Sequence, residues 1–506
     1  MTAAPSAPVP TGRSVRLASW AGFERPVLDG VLDGVLDGAT VGAVENLVVR
    51  SVHHDADDVR LVRAGVSLRH DRDEHGARWV LALDDPASQR VVDGDGAVVP
   101  DALARAVRAV ARGAAIAPVA VFEIRRARVP VLVGEVVVAE VLDDEVSVLD
   151  ADHVAARFRV LTVACVDADA PVEVVEAVVT RLRQAGAGDP EPLPLLVRAL
   201  GPQAFVPAEP FVPFVEADHP AGIAVRAALA TSVRRLLGLW PHLTGDPAVE
   251  VVHQARVCVR RLRSDLRTFA PVLAPEAISP VTSELRWFGA VLGAVRDLDV
   301  QAERLLRVAR RLDEADRPGV VPLLDTLHAA RRDAASALAV AAGGDRAEAL
   351  AMALVTLAQA PACTAAADEP AAAMVRALAR DPWERAARKA RRLGRRSETT
   401  ALHALRVDVK RARYAAEAAA RVVPGAARHA QALAEVQEVL GELHDTAVTE
   451  AWLRAQVAAG LAGPESFTAG LLVAADRARA VRLRRRWTEA WAAADRRRMR
   501  SWLDAP

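Results

Sequence analysis

Two segments of the chain line up basic side chains at helical spacing. In VHQARVCVRRLR, which starts at Val252, and the residues after it, His253, Arg256, Arg260, Arg263 and Arg267 fall at i, i+3, i+7, i+10 and i+14. At 3.6 residues per turn these positions share one helix face, and the stripe runs about 21 Å at ~1.5 Å per residue. LHALRVDVKRAR, which starts at Leu402, repeats it with His403, Arg406, Lys410 and Arg413. Like charges one turn apart repel by a few tenths of a kcal/mol per pair. A stripe with so few interleaved acids therefore suits a bound anion that relieves the repulsion. Arginine offers phosphate oxygens a rigid fork of donors. Histidine at one end adds a donor and, when protonated, a charge. The competing reading is a solvated basic face paired with acids on neighbouring helices.

The elements that must hold these stripes are legible too. Val252, Ala255, Val259, Leu262, Leu266 and Phe269 form an apolar stripe one residue behind the first basic one. That helix can bury one face and present the other sideways. Asp246 and Pro247 read as its N-cap and first turn, and Pro271 as its end. A second block also recurs. VLGAVRDLDV at 291–300 matches VLGELHDTAV at 439–448, pairing Gly293 with Gly441 and Asp297 with Asp445. Two blocks at nearly one offset imply two related helical bundles about a pseudo-twofold axis. The two aspartates are expected to be caps or salt-bridge partners of the arginines. Arg261 and Arg411 match in both repeats but lie about 100° off the stripe, as flanking or packing residues. Two further basic runs, 385–396 and 477–500, read as solvated faces bordering the anion site, with Trp487 and Trp491 as core at i, i+4.

The rest of the chain bounds the reading. Of its 506 residues, 52% are hydrophobic, yet no apolar run approaches the ~18 residues of a membrane span. Cys165, Cys258 and Cys363 stand far apart, which excludes a disulfide framework and a cysteine-based zinc site. Residues 1–215 carry 21 basic and 31 acidic side chains, and 216–506 carry 44 and 34. Only Lys389 and Lys410 of the 65 basic residues are lysines, so arginine is favoured throughout and position must carry the argument. In the N-terminal half, VENLVVRSV, ARWVLAL, PVAVFEI, VGEVVVAEVL, EVSVLD and FRVLTVACV read as strands, and 100–114 and 170–187 as helices. The triple VLDG at 27–38 reads as a turn series. Eight prolines between 188 and 220 mark a boundary. Beyond it the pattern is all-helical, with helices of roughly 15–30 residues.

The motif H-x-x-R-x-x-x-R-R-x-R, or its lysine variant, occurs twice, each time followed by L-G-x-x-x-D. It resembles the CHAD domain (conserved histidine α-helical domain). The resemblance implies two pseudo-symmetric helical bundles that bind inorganic polyphosphate. It assigns that role to His253, Arg256, Arg260, Arg263, His403, Arg406, Lys410 and Arg413, with Arg267 extending the first stripe. The stretch 53–83 resembles the CYTH triphosphate-tunnel family through Leu61, Gly65, Leu68 and Arg69, and VAEVLDDEVSV at 138–148 resembles one of its strand pairs. The family's E-x-E-x-K strand has no counterpart here: VRLASWAGFER comes nearest and lacks a lysine. The lysine of W-x-L-K-L falls on Ala82, and the acidic later strand falls on FRVLTVACV. The resemblance thus implies a degenerate tunnel domain without its metal-binding carboxylates. Arg60, Arg63, Arg69, Arg125, Arg126 and Arg128 are left as a basic lumen or as surface.

The expected architecture is an α+β domain, an antiparallel β tunnel or barrel-like sheet with helices, followed by an all-α pair of bundles. The expected divisions are a disordered tail at 1–14, a CYTH-like domain at 15–200, a linker at 201–219 and a CHAD domain at 220–506. The last holds repeats near 220–345 and 370–500. The leading function is non-catalytic polyphosphate binding, with no catalytic residue, metal or cofactor assigned. The alternatives are a metal-dependent triphosphatase of the tunnel class and non-specific nucleic-acid binding. A cytoplasmic location, with polyphosphate granules as one destination, accompanies the leading reading, and oligomeric state stays open.

Overall fold

The protein is described from a computed structural model. It covers residues 14–504 apart from 29, 33, 34, 37, 84–88, 152, 168–170 and 192. Most of the tail expected at 1–14 lies outside the described residues. The chain divides into two compact units, Met1–Ala208 and Glu209–Pro506.

The first unit carries strands β1 (Ser14–Ser19), β2 (Ala39–Val41), β3 (Glu45–Asp55), β4 (Ser67–Asp73), β5 (Gly76–Ala82), β6 (Arg90–Asp93), β7 (Ala117–Val133), β8 (Val136–Asp150) and β9 (His153–Cys165). Four helices accompany them: α1 (Arg60–Arg63), α2 (Asp101–Ala111), α3 (Glu173–Gln184) and α4 (Leu195–Leu200). The strands form one antiparallel sheet in the order β1-β9-β8-β7-β3-β4-β5-β6, with β2 also on β7. A closed barrel needs its edge strands to share a ladder. Here β1 and β6, of six and four residues, lie at opposite ends and share none. The sheet is therefore open, and barrel-like only loosely.

Two apolar layers hold the sheet. Val174, Val175, Val178 and Leu182 of α3 pack on Val141, Leu161 and Val163. Leu103, Val107 and Val110 of α2 pack on Leu68, Trp79 and Leu81. Within the VLDG series the Val31 and Val35 amides donate to the Leu28 and Leu32 carbonyls, while Asp29, Asp33, Gly34 and Asp37 lie outside the described residues. Its leucines also pack into the core, Leu28 and Leu32 fully so. The runs read as separate strands at 133–142 and 145–150 join from Val136 onwards in one strand, β8, because its acidic break is buried rather than turned out.

The second unit is helical: α5 (Ala221–Leu239), α6 (Val249–Thr268), α7 (Pro275–Ala309), α8 (Val321–Ala342), α9 (Asp345–Gln359), α10 (Ala371–Ala390), α11 (Thr399–Ala419), α12 (Ala426–Ala458), α13 (Gly463–Ala494) and α14 (Arg497–Arg500). α7, α12 and α13 exceed the expected lengths. α7 runs through Pro280, giving up only the bond that the ring cannot donate. Helices at equivalent places in the two repeats, α6 with α11 and α5 with α10, pack on each other. The apolar stripe of α6 is fully buried, Val252 through Phe269, as is its counterpart Leu402, Leu405, Val409 and Ala412 on α11. Asp246 does not cap α6. The helix starts at Val249 after Ala248, and Asp246 instead pairs with Arg331 at 3.0 Å. Among the described residues no helix is long and apolar enough to cross a membrane.

Candidate functional site

Burying the apolar stripes of α6 and α11 against neighbouring helices fixes where the basic stripes go. They face one another across a shared cavity of about 270 Å³. Arg260, Arg263 and Arg267 enter from α6, and His403, Arg406, Lys410 and Arg411 from α11. Ser264, Val407 and Tyr414 complete the lining, which contains no carboxylate. Among the described residues, Arg260, Arg263, Arg267, Arg406 and Lys410 make no ion pair.

Electrostatics at the cavity follow from crowding and partial burial. Burial, reinforced by Arg260, Arg406, Arg263 and Arg256, lowers the Lys410 ammonium to about 7. Arg406 is held below the ordinary guanidinium value by burial, with Arg260 and Arg256 pushing the same way and Asp445 opposing. Burial lowers Arg263 and Arg267 too, with Arg286 adding to both and Arg411 adding to the second. The Nε atoms of Arg260, Arg263, Arg406 and Arg411, and Nδ1 of His403, are buried without a hydrogen-bond partner. Unmade bonds to buried polar groups cost about 1–3 kcal/mol each. An anion accepting from these donors would recover part of that cost.

The remaining stripe residues divide between the cavity and its supports. Arg256 pairs with Asp297 at 3.1 Å and lines a second cavity, also of about 270 Å³. That cavity draws on equivalent positions of both repeats: Arg256 and Arg406, Asp297 and Asp445, Val300 and Val448, Gln301 and Thr449. Arg406 borders both cavities. Asp297 and Asp445 lie inside α7 and α12, so they are not caps. Asp297 is an ion-pair partner, whereas Asp445 acts on Arg406 through its field alone and is itself raised by burial. His253 does not line the cavity. Burial and the neighbouring Arg296 push its imidazole towards neutrality. At the equivalent place on the other repeat, the rings of His403 and His444 lie 4.5 Å apart.

Arg413 turns from the cavity to pair with Glu417 at 2.7 Å. Arg261 crosses from α6 to the same Glu417 and also pairs with Asp265 at 3.2 Å. Burial raises the Asp265 carboxyl to about 6. Of the two flanking arginines, then, Arg261 packs and Arg411 lines the cavity, where it also meets Asp408 at 3.3 Å.

Sequence reasoning missed Tyr414, the chain's one tyrosine. Its hydroxyl accepts from Arg260 Nη2 at 2.9 Å, and Lys410, Arg413 and Arg261 lie 5.8, 5.1 and 5.9 Å from its ring centroid. The signal was present, since Tyr414 replaces Ser264 at the repeat offset. The roles of Gly293 and Gly441 were missed as well. A Cβ on Gly293 would stand 2.7 Å from Arg256 Nη1, and one on Gly441 3.6 Å from Arg406 Nε. Gly293 makes room for Arg256 to lie on the neighbouring helix, whereas at Gly441 a methyl group would stand in ordinary contact with Arg406.

Several cations of the other basic runs are paired with acids. Lys389 meets Asp408 at 2.5 Å, Arg477 meets Glu450 at 2.5 Å and Arg479 meets Glu442 at 2.6 Å. Trp487 and Trp491 are buried.

In the strand-rich unit the six arginines do not make an open basic lumen. Arg126 pairs with Asp144 at 2.7 Å, Arg128 with Glu140 and Glu45, Arg69 with Asp71 at 2.9 Å and Arg60 with Asp58 at 2.8 Å. Arg63 donates to the carbonyls of Val206 and Pro207, and Arg125 lies 3.9 Å from Glu123. β8 thus supplies buried acids, Glu140, Asp143 and Asp144, that the motif comparison did not assign. Each is held by an arginine, Asp143 by Arg159 at 3.0 Å. Among the described residues, one group of three metal-ligand types comes within reach of a shared ion: Glu216, Asp218 and His219. It lines neither cavity.

The CHAD domain family matches residues 227–454, the span that carries both stripes and both glycine–aspartate blocks. These residues form a CHAD domain. Two uncharacterized proteins of Mycobacterium tuberculosis, from strains CDC 1551 and H37Rv, are each 29% identical over 450 residues, covering 83% of this chain and 85% of theirs. The CHAD domain from the plant Ricinus communis is 25% identical, with a TM-score of 0.44, over 60% of this chain and 98% of its own. For the N-terminal part, an adenylate-cyclase-type structure from Bacillus halodurans is 11% identical, with a TM-score of 0.25, over 37% of this chain and 94% of its own.

Proposed function

We propose that this CHAD domain binds inorganic polyphosphate and acts as a binding module rather than an enzyme. The observation that carries the reading is the cavity between α6 and α11. It is lined by Arg260, Arg263, Arg267, Arg406, Lys410 and Arg411, contains no carboxylate, and holds buried guanidinium Nε atoms with no partner. A chain of linked phosphates supplies closely spaced oxygens to a row of forked donors, so each added phosphate relieves cation–cation repulsion as well as making bonds. His403 sits at one end as a further donor. Arg256 and Arg406 continue the cationic track towards the second cavity, while His253, Arg261 and Arg413 shape its borders.

A tunnel-type triphosphatase would need carboxylates free to hold a divalent metal. In the strand-rich unit the buried acids of β8 are occupied by Arg126, Arg128 and Arg159. Base-reading contacts for a nucleic acid have no evident counterpart at the cavity, where Tyr414 is buried.

The test is equilibrium binding of long-chain polyphosphate to the full chain and to the R260A/R263A/R406A/K410A variant. The expected result is tight binding at low salt, lost in the variant with its thermal unfolding retained. Equal binding by a folded variant contradicts the reading. Magnesium-dependent phosphate release from tripolyphosphate, abolished by substitutions within 15–200, would replace it with the triphosphatase.

A further inference from the structure

The chain uses lysine at only two of its 65 basic positions, and one of the two stands in the cavity. Every other cation lining that cavity, apart from His403, is an arginine, which keeps its proton throughout the accessible pH range. Lys410 therefore differs in kind from its neighbours. From α6 it faces Arg256, Arg260 and Arg263, and from its own helix Arg406. α12 contributes His444 and Asp445 beside Arg406, and on α10 Lys389 is paired with Asp408. The Lys410 ammonium lies over the Tyr414 ring, 5.8 Å from its centroid, and no carboxylate lines the cavity to hold its proton.

We propose that the anion site is proton-linked through Lys410: the empty cavity releases the Lys410 proton, and a bound polyphosphate chain draws it back. The proposal deepens, and rests on, the polyphosphate reading of the same cavity. The direction follows from the charges. An empty cavity crowds Lys410 with guanidinium groups and favours the neutral amine. A polyanion reverses the local potential and favours the ammonium. Binding then takes up a proton in the neutral range and weakens as pH rises. The free group is lowered to about 7, so its protonated fraction falls about tenfold from pH 6 to pH 8. Affinity should fall by the same factor. Lys410→Arg would keep the charge and remove the part of the dependence that Lys410 carries.

Having two lysines makes the test direct. The full chain is labelled at lysine side-chain carbons, and the two signals are assigned with K410R and K389R. They are then followed by NMR against pH, without and with long-chain polyphosphate, whose chain ends are few. Equilibrium dialysis reports binding in parallel. The expected result is a free Lys410 midpoint near 7 that moves up by about two pH units or more with polyphosphate. K410R should weaken less between pH 6 and pH 8 than the unaltered chain, which weakens about tenfold. An ordinary lysine midpoint in the free chain overturns the proposal. So does a midpoint that stays put while dialysis shows the chain bound. Absence of binding in dialysis at both pH values overturns the polyphosphate reading itself, and the linkage with it.

Discussion

At the residue scale the site depends on small side chains as much as on charged ones. Glycine inside a helix costs roughly 0.5–1 kcal/mol relative to alanine. Gly293 and Gly441 occupy the middle of α7 and α12 nonetheless. The structure gives the reason for the first: Arg256 fills the space a methyl group would take. At Gly441 the same methyl would meet Arg406 at an ordinary contact distance. Gly441→Ala should therefore stabilise the fold by about 0.5–1 kcal/mol and leave polyphosphate affinity unchanged. Gly293→Ala should keep the fold but displace the Arg256 guanidinium and weaken binding several-fold. Thermal unfolding and equilibrium binding on the two variants check this, and equal affinities would contradict it. The sequence made the recurring glycine visible but not its purpose, because the arginine it accommodates lies on another helix. Tyr414 escaped for a related reason: a lone aromatic beside a basic stripe gains meaning only when Arg260 of the other repeat reaches it.

At the element scale the two repeats are alike in outline and unlike in charge. Helical periodicity exposed both stripes, their buried backs and the matching blocks, since those depend on local spacing alone. It did not reveal that both stripes line one cavity, which follows from how α6 packs on α11. Nor did it reveal which end stays open. Position 417 on α11 is glutamate where the equivalent position on α6 is Arg267. At one end Glu417 gathers Arg261 and Arg413 and closes the cluster. At the other, Arg267 lies within the field of Arg411, and both line the cavity. This asymmetry predicts opposite effects. Glu417→Gln should free Arg413, while Arg261 keeps Asp265, and tighten polyphosphate binding. Arg267→Glu should pair with Arg411 and weaken binding by more than the loss of one phosphate contact. Binding isotherms at matched ionic strength test both, and changes of the same sign would contradict the account. In the strand-rich unit the short, β-branched runs were legible. The continuity of β8 was not, because buried acids such as Asp143 and Asp144 mimic a turn until their arginine partners are seen.

At the scale of the whole molecule, the opposed charge of the two halves has a local explanation in each. The acidic half neutralises its buried arginines with β8 carboxylates, whereas the basic half leaves a set of cations unneutralised around one cavity. Counterions condensed on a polyphosphate chain are released when those cations engage it, so affinity must depend on salt. By analogy with single-stranded nucleic acid, at about −0.7 per contact, six lining cations give a log–log slope of about −4. Removing four of them in R260A/R263A/R406A/K410A should bring it to about −1.4. The measurement that decides the matter is this salt titration of polyphosphate binding at slightly acid pH, where Lys410 is charged. The account predicts a steep slope in the unaltered chain and a shallow one in the variant. A slope near zero, or one that the four substitutions leave unchanged, would contradict it.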